Sequence, residues 1–469
     1  MSSKKDLLSN LRDGGDLKFR DQIMLIVRLS IPAIMAQLSS IIMQYIDAAM
    51  VGSLGANSSA SIGLVASSTW LLGGLCSAVS TGFTVLVAQA IGANDNRHAR
   101  KTVKIGLICA LIFSIVLSVI GILISRPLPG WLKGSEAING DATKYLMVYA
   151  ISLPAVQITG IAGGMIQASG NMKFPSIMHI VMCALDVVFN AMLIFDGRIV
   201  EIVGHNMTIP GAGLGVMGAA IGTALAEVTV ALIMLGYLLF KSPVLKLQKG
   251  EKFAFEGSVV LKAIKIAIPV GIEQAVMCGA LIVTTGIVSP LGDIPIAANS
   301  LAVTAESLCY MPCYGIGAAA TTIIGQSVGA GRRDLTRRLG YIVTGFGMLI
   351  MTIGGILMYI FAPVMIGVLS PDPEIRELGT IILRIEAFAE PMYAASIVAA
   401  GVFHGAGDAM IPSILSFVSM WAVRIPLSAI LATRMGLQGV WIAMCVELCV
   451  RGLLFLIRLR GKRWLKVLK

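Results

Sequence analysis

Long runs of apolar residues, separated by short polar or Gly/Pro-containing breaks, repeat along the whole chain. A helix needs about 20 such residues to cross roughly 30 Å of hydrocarbon. Lipid offers no hydrogen-bond partner to the backbone, so each crossing run is predicted to be helical. The pattern predicts twelve transmembrane helices, at 24–51, 60–90, 103–125, 145–169, 175–195, 212–240, 262–288, 297–325, 340–368, 377–405, 411–433 and 436–459.

The composition indicates a multi-pass protein of the inner (plasma) membrane. Hydrophobic residues make up 57% and charged residues 13% of the 469, against roughly 25% charged in soluble proteins. The formal net charge is +11, but the basic residues lie in short segments between apolar runs. We therefore expect the bilayer as partner and exclude nucleic acid.

Basic residues follow the second, sixth and eighth predicted helices and the last one. They include Arg100 and Lys101, Lys262 and Lys265, Arg337 and Arg338, and Arg458 and Arg460. Lys and Arg near helix ends stay on the cytoplasmic side. Both termini are therefore predicted to be cytoplasmic, with an even number of helices between them.

Cysteine and histidine do not indicate catalytic or cofactor chemistry. The eight cysteines lie inside apolar runs without a CxxC pair, so they are interpreted as small buried hydrophobes. The four histidines are scattered and lack the spacing of a metal-binding or catalytic motif. We expect neither an enzyme nor a cofactor.

The second half of the chain repeats the first at an offset of 237 residues. Pro32 pairs with Pro269, and Gln89 pairs with Gln326. The offset holds through five helices, and the sixth aligns at 221 because the first half carries a longer loop around 196–211. Each half then has an even number of helices, so the halves are related by a two-fold axis along the membrane normal.

This repeat predicts an all-α membrane protein with two six-helix bundles and a cleft between them. We divide the chain into a cytoplasmic leader (1–22), an N-lobe (23–240), a cytoplasmic linker (241–261), a C-lobe (262–460) and a basic cytoplasmic tail (461–469). Rocking of one bundle against the other would expose the cleft to each side in turn. We expect a monomer that carries small molecules.

Four polar residues of the first half fall at membrane depth, where a charge costs on the order of 2.5–3.5 kcal/mol. Asp47 lies late in helix 1, and Asp186 and Asn190 lie one turn apart on helix 5. Asp186 is about 16 Å along the helix from Pro175, and Thr223 on helix 6 reaches a similar depth. These oxygens suit a small cation such as Na⁺ at Asp47 and Asp186; alternatively the two acids hold a proton. The coupling ion, H⁺ or Na⁺, stays open.

The second half has lost the first of these acids, since Thr284 stands where the repeat places Asp47. Ion coupling is therefore expected in the N-lobe, and other polar and methionine side chains become candidates for a substrate cavity. The candidates are Glu273, Met277, Glu306, Glu390 and Arg424. Internal ion pairs are an equal alternative, with Arg384 or Arg424 neutralising Glu386 or Glu390.

Several motifs together resemble one family. They are Pro32, Gln37 and Asp47, then 52–55 (GSLG), 89–93 (QAIGA) and, in the second half, 401–408 (GVFHGAGD). In this combination the chain resembles the multidrug and toxic compound extrusion (MATE) family over nearly its whole length. The NorM-like branch carries an acid where Met277 stands, so the chain is more similar to the DinF-like branch.

The resemblance implies two six-helix lobes, cation-coupled antiport and export of cationic or amphipathic compounds. By position, Asp47 and Thr223 match the family's helix 1 aspartate and helix 6 threonine. The family's helix 5 order is Asn then Asp, whereas this chain has Asp186 then Asn190, and Gly160 stands in place of a helix 4 asparagine. The resulting hypothesis is a cation-coupled exporter; the alternative is a flippase for a lipid-linked oligosaccharide or another lipid-like substrate.

Overall fold

The computed structural model describes residues 7–132, 134–202, 205–248 and 255–468. The first half contains α1 (Leu7–Arg12), α2 (Phe19–Gly52), α3 (Ala56–Gly92), α4 (Asn96–Ser125), α5 (Leu128–Trp131), α6 (Glu136–Ala168), α7 (Lys173–Leu193), strands β1 (Asp196–Ile202) and β2 (His205–Ala212), and α8 (Gly215–Gly236). The second half contains α9 (Gly257–Val288), α10 (Asp293–Gly329), α11 (Arg333–Leu369), α12 (Pro373–Glu386), α13 (Glu390–Ala406), α14 (Met410–Val418) and α15 (Ile425–Arg460).

Ten helical segments of the described chain are long and apolar enough to cross a membrane. One of them, Met410–Arg460, bends at Gly436, whose positive φ of 60° interrupts the helix, so it accounts for two predicted crossings. Helices α12 and α13 together occupy the tenth predicted crossing but are individually short. Ten segments thus meet the criterion among the described residues, and the count of twelve crossings stays a prediction.

Several helices begin earlier than the hydropathy pattern predicts. Helix α4 starts at Asn96 instead of residue 103, and α11 starts at Arg333 instead of residue 340. Apolar runs mark only the part of a helix that lies in hydrocarbon, whereas the backbone bonds continue through polar first turns. The predicted loop around 196–211 is a hairpin in which Asp196 pairs with Ala212, as its Ile- and Val-rich sequence favours.

The first helix of each lobe begins against the opposite lobe. Leu25 of α2 is buried in a core built mainly from α10, α11 and α13. In the same way, Val259 and Ala263 of α9 are buried in the core of α3, α4, α6 and α8. The predicted lobe boundaries therefore do not coincide with the boundaries of the two hydrophobic cores. Each core also contains the first half of the first helix of the other lobe.

A proline lies near the middle of both exchanged helices, Pro32 in α2 and Pro269 in α9. Beyond it each helix returns to its own lobe, where Met43 packs on the N-lobe core and Val288 is buried in the C-lobe core. Proline donates no backbone hydrogen bond and disturbs the preceding turn. The prolines thus mark where each helix crosses between the lobes.

At one end of the molecule the two lobes meet backbone to backbone. A Cβ on Gly92 at the end of α3 would overlap the backbone carbonyl of Gln326 on α10. The repeat-related Gly329 lies in the same way against the carbonyl of Gln89. Only glycine permits such an approach. We call this contact of α3 with α10 the closed end.

The two glutamines at the closed end make repeat-related hydrogen bonds. Gln89 Nε2 donates to the carbonyl oxygen of Gly405 at 3.1 Å, and Gln326 Nε2 donates to that of Ala168 at 2.7 Å. Each bond joins one lobe to the other. The two-fold relation that the offset of 237 residues indicates therefore holds for these contacts as well as for the helices.

The terminal segments pack onto the lobes at the same end. Arg332 Nη1 donates to the carbonyl oxygens of Leu11 at 3.3 Å and Gly15 at 2.8 Å, which fixes α1 to the C-lobe. In the tail, Trp464 is fully buried, with its ring 5.8 Å from that of Phe403. The predicted leader and tail both contain packed structure.

Within the predicted linker, residues 249–254 lie outside the described part of the chain. Just after them, Glu256 pairs with Lys101 at the start of α4. The hydrogen bond from the Lys101 ammonium lowers the pKa of Glu256 below its ordinary value. This ion pair joins the first residue before α9 to the N-lobe.

Candidate functional site

The amide of Asn190 joins the two N-lobe acids. Its Nδ2 donates to Asp47 Oδ1 at 2.9 Å and to Asp186 Oδ2 at 3.1 Å. Asp186 and Asn190 are fully buried on α7, and Asp47 is half-buried on α2. Helical spacing puts the α7 pair on one face, and packing of α2 against that face brings the third residue in. We call these three residues the carboxyl site.

Close packing of α8 completes this site. A Cβ on Gly222 would overlap the Asn190 side chain, so glycine there lets α8 approach α7. The next residue, Thr223, lines a cavity of about 260 Å³ together with Asp47, and Tyr145 lies on its wall. The structure thus places all four predicted coupling residues beside one another.

Two oxygens of the carboxyl site have no hydrogen-bond partner within the described chain, Asp186 Oδ1 and Asn190 Oδ1. An unpaired buried acceptor carries its full desolvation penalty. Two carboxylates held by one amide also repel each other strongly in a medium of low dielectric constant. A proton or a small cation removes both costs, because carboxylate, amide and hydroxyl oxygens are the ligands that hard cations prefer.

A central cavity of about 420 Å³ lies between the lobes, with walls from α2, α3, α6, α9, α10, α13, α14 and α15. Of the predicted cavity residues, Glu273 and Met277 line it. Glu273 Oε2 accepts a hydrogen bond from Ser413 Oγ at 3.0 Å, and no other acidic side chain is in the wall. The cavity therefore carries one carboxylate without a cationic partner among the described residues.

The cation in the wall, Arg451, is already neutralised. Its Nε lies 3.0 Å from Oε1 of the buried Glu447, one helical turn earlier on α15. The guanidinium also stands over the ring of Tyr393, 5.5 Å from its centre. Tyr393 and Tyr314 both face the cavity and both contact Tyr310. Aromatic faces beside an acid favour an organic cation.

The other predicted cavity residues lie elsewhere. Glu306, Glu390 and Arg424 are not among the residues that line the central cavity. Glu306 and Glu390 are buried inside the C-lobe with Glu386, near the break between α12 and α13, and the half-buried Arg424 lies beside them. Arg424 Nη2 points at Met444 Sδ, 2.8 Å away. The side chains of Glu306, Glu390 and Arg424 therefore lie apart from the central cavity.

The alternative ion pairs do not form either. Within the described residues, all four carboxyl oxygens of Glu386 and Glu390 lack a hydrogen-bond partner. Arg384 instead donates to the carbonyl oxygen of Tyr359 at 3.3 Å. Thr284, the counterpart of the first N-lobe acid, bonds only its own helix at 2.8 Å. The two lobes are therefore chemically unequal.

Sequence reasoning did not select several residues of the central cavity. These are Tyr314, Tyr393, Gln274, His404 and Arg451. His404 is notable because its Nε2 is buried without a hydrogen-bond partner in the described structure. One available signal was the spacing of Tyr310 and Tyr314, one helical turn apart in a chain with only 6% aromatic residues.

Comparison with known proteins agrees with this architecture. The family model described as MatE matches twice, at residues 32–192 and 269–430, and the two matches begin at the offset of the internal repeat. The chain is 25% identical to "Probable multidrug resistance protein NorM" of Thermotoga maritima, over 94% of this chain and 93% of the relative. It is 26% identical to the protein of the same name from Rhodopseudomonas palustris, over 92% and 90%.

Solved structures are similar over the whole chain. One is described as "Outward-facing conformation of a multidrug resistance MATE family transporter of the MOP superfamily", with a TM-score of 0.88, 19% identity and coverage of 100% of both chains. Another, "Crystal structure of MATE in complex with MaL6", has a TM-score of 0.88, 19% identity and coverage of 100% and 99%. At this identity the likeness shows the fold.

Two repeat-related helical lobes around a central cavity, with buried polar sites at membrane depth, define a multi-pass membrane transporter. The chain belongs to the MATE family, because the family model covers well over half of it. The sequence prediction of family and fold is thereby confirmed. The relatives named above carry NorM names, so the DinF-like assignment stays a prediction.

Proposed function

We propose that this protein is a cation-coupled antiporter that exports small organic, cationic or amphipathic compounds from the cytoplasm. The observation that carries the proposal is the amide bridge from Asn190 to Asp47 and Asp186. A proton or a sodium ion enters this site from outside, and its arrival drives rocking of the lobes that releases substrate. The relatives' names, which describe multidrug resistance, support the substrate class.

The lining of the central cavity supports the proposal that the substrate is an organic cation. Glu273 supplies a carboxylate with no ion pair among the described residues, and Tyr314 and Tyr393 supply aromatic faces. A volume of about 420 Å³ falls in the range of roughly 300–1,000 Å³ of small-molecule sites. The substrate and the ion therefore occupy different places, one between the lobes and one within the N-lobe.

The geometry of the closed end supports an outward-open state. Basic residues follow α3, α8, α10 and α15 at that end, which the positive-inside rule assigns to the cytoplasm. With the lobes joined there by Gln89 and Gln326, the cavity has no path to the cytoplasm through the contact of α3 with α10. We place the monomeric transporter in the inner (plasma) membrane, with both termini cytoplasmic.

Transport in proteoliposomes tests the proposal. Movement of a fluorescent organic cation is followed under an imposed proton gradient and, separately, an imposed sodium gradient. The native chain is compared with Asp47→Asn, Asp186→Asn and Glu273→Gln. One gradient is expected to drive movement, and the Asp47 and Asp186 variants are expected to lose at least tenfold of the gradient-driven rate.

Glu273→Gln separates substrate recognition from coupling. It is expected to raise the KM for the cation while substrate-independent ion binding is retained. Asp293→Asn is the matched control, because this exposed acid at the start of α10 lies outside both sites. If neither gradient moves any cation, the exporter proposal is wrong, and lipid-linked substrates become the next test.

A further inference from the structure

A second cavity lies at the closed end, apart from the carboxyl site and the central cavity. Its volume is about 380 Å³, and it is enclosed by α1, the first part of α2, the start of α7 and residues 243–244 after α8. Its described lining combines apolar and basic side chains. The side chains that carry the argument are Leu8, Leu25, Leu29, Arg12, Arg28 and Lys173. We call it the basic cavity.

Among the described residues, all charged side chains in the wall of the basic cavity have the same sign. Arg28 and Lys173 line it and are exposed, and the structure records no ion pair for either among the described residues. Arg12 donates from Nη2 to Ser9 Oγ at 3.1 Å, and its buried Nε has no hydrogen-bond partner there. Three cations around one space repel one another unless an anion lies between them.

A helix end adds to this potential. Helix α7 is 21 residues long and begins at Lys173 in the cavity wall. The amino end of a helix carries roughly half a positive charge, which favours an anion nearby. Three side-chain cations from three separate helices and one helix dipole thus converge on the same space.

We propose that the basic cavity binds the phosphate group of an anionic lipid. Leu8, Leu25 and Leu29 provide an apolar wall beside the cations, which fits a glycerol-linked chain better than a free, fully hydrated ion. Arg28 also lies in the first third of α2, near the start of the predicted run 24–51, which places it at the cytoplasmic edge of the bilayer. Phosphate is the shared chemistry, and Arg recognises it with paired donors.

A ligand in this position would hold the two lobes together. Helix α1 is tied to the C-lobe through Arg332, and Leu8 of the same helix lies against Gly170 of the N-lobe, where a Cβ would overlap it. A phosphate between Arg12 on α1 and Lys173 on α7 adds an electrostatic link across that contact. Binding should therefore favour the conformation in which the closed end is formed.

Native mass spectrometry of the purified full chain tests the site. Phosphatidylglycerol is titrated against the native chain, against Arg28→Gln/Lys173→Gln, and against Lys262→Gln/Lys265→Gln. The last pair is the matched control, because both lysines are exposed on the first turns of α9 and neither lines the cavity. Phosphatidylcholine and inorganic phosphate are titrated in parallel.

The cavity variant is expected to bind phosphatidylglycerol about 30-fold more weakly, since each Lys or Arg near an anionic surface contributes roughly a fivefold factor. The control should change affinity less than twofold. Equal losses in the two variants, or equal affinity for phosphatidylcholine, would overturn the proposal. If inorganic phosphate binds with the same variant dependence and phosphatidylglycerol does not, the lipid assignment is wrong and the ligand is a soluble phosphate. Thermal unfolding of both variants verifies that they are folded.

Discussion

Adding one methyl group at the closed end should open it. The perturbation is Gly92→Ala or Gly329→Ala, each of which puts a Cβ into the backbone carbonyl of the glutamine on the opposite lobe, Gln326 or Gln89. These two carbonyls lie in the last turns of α3 and α10, where each accepts a hydrogen bond from the first residue after its helix, Ala93 or Ala330. Neither can therefore rotate away as the tip of a long side chain can. The lobes must therefore separate at this end to accept the methyl group.

The expected magnitude follows from the packing. Overpacking of a close contact costs about 1–3 kcal/mol, which corresponds to a 5–150-fold change in an equilibrium. Alanine also stabilises a helix relative to glycine by about 1 kcal/mol in either conformation. Gly345→Ala on α11 measures that contribution alone, because no atom lies within 4 Å of a Cβ placed there.

Distances between spin labels report the population of the closed end. Labels at Arg97 and Asp334 occupy exposed, repeat-related positions at the starts of α4 and α11. They are introduced in a chain whose eight native cysteines, all free thiols, have been replaced. In the Gly92 and Gly329 variants, the ratio of short to long distances is expected to fall 5–150-fold, and the double variant should fall further.

A particular result would refute this reasoning. If Gly92→Ala gives the same distance distribution as Gly345→Ala, the contact of α3 with α10 does not hold the lobes together. The same conclusion follows if the variant changes thermal stability but not the distances, because a contact that never parts affects only folding.

Two further predictions concern α8 and the linker. Gly222→Ala should displace the Asn190 amide and reduce ion-driven transport in proteoliposomes at least tenfold. The control is Gly236→Ala on the same helix, which should be neutral because a Cβ there meets no atom within 4 Å. Equal effects of the two substitutions on transport would contradict the prediction. Because Lys101 lowers the pKa of Glu256, the ion pair is complete above the ordinary carboxyl pKa of about 4.3 and is lost as pH falls through the lowered value. The difference in melting temperature between the native chain and Glu256→Gln should therefore be constant well above a pH of about 4.3 and shrink as the pH falls through the lowered pKa of Glu256, and a pH-independent difference would argue against the pair.

The carboxyl site shows how far local reasoning reaches. Asp186 and Asn190 share a face because they are one turn apart, and depth along α7 follows from the rise per residue. The same rise per residue puts Thr223 at a similar depth, and the structure places Thr223 and Asp47 beside this pair. That the Asn190 amide bridges both acids depends on the packing of α2 against α7, which no single helix specifies.

The sequence by itself determined the membrane class, the helical runs and the two-lobe repeat, because hydropathy and an offset of 237 residues are properties that add up along the chain. Only the tertiary structure decided that α2 and α9 begin in the opposite lobe. It also placed Arg451 in the central cavity and Glu390 outside it. In lipid, the outer and the packed faces of a helix are both apolar, so periodicity does not reveal which face meets a cavity. That choice depends on how neighbouring helices cross, and crossing is a property of the assembled bundle.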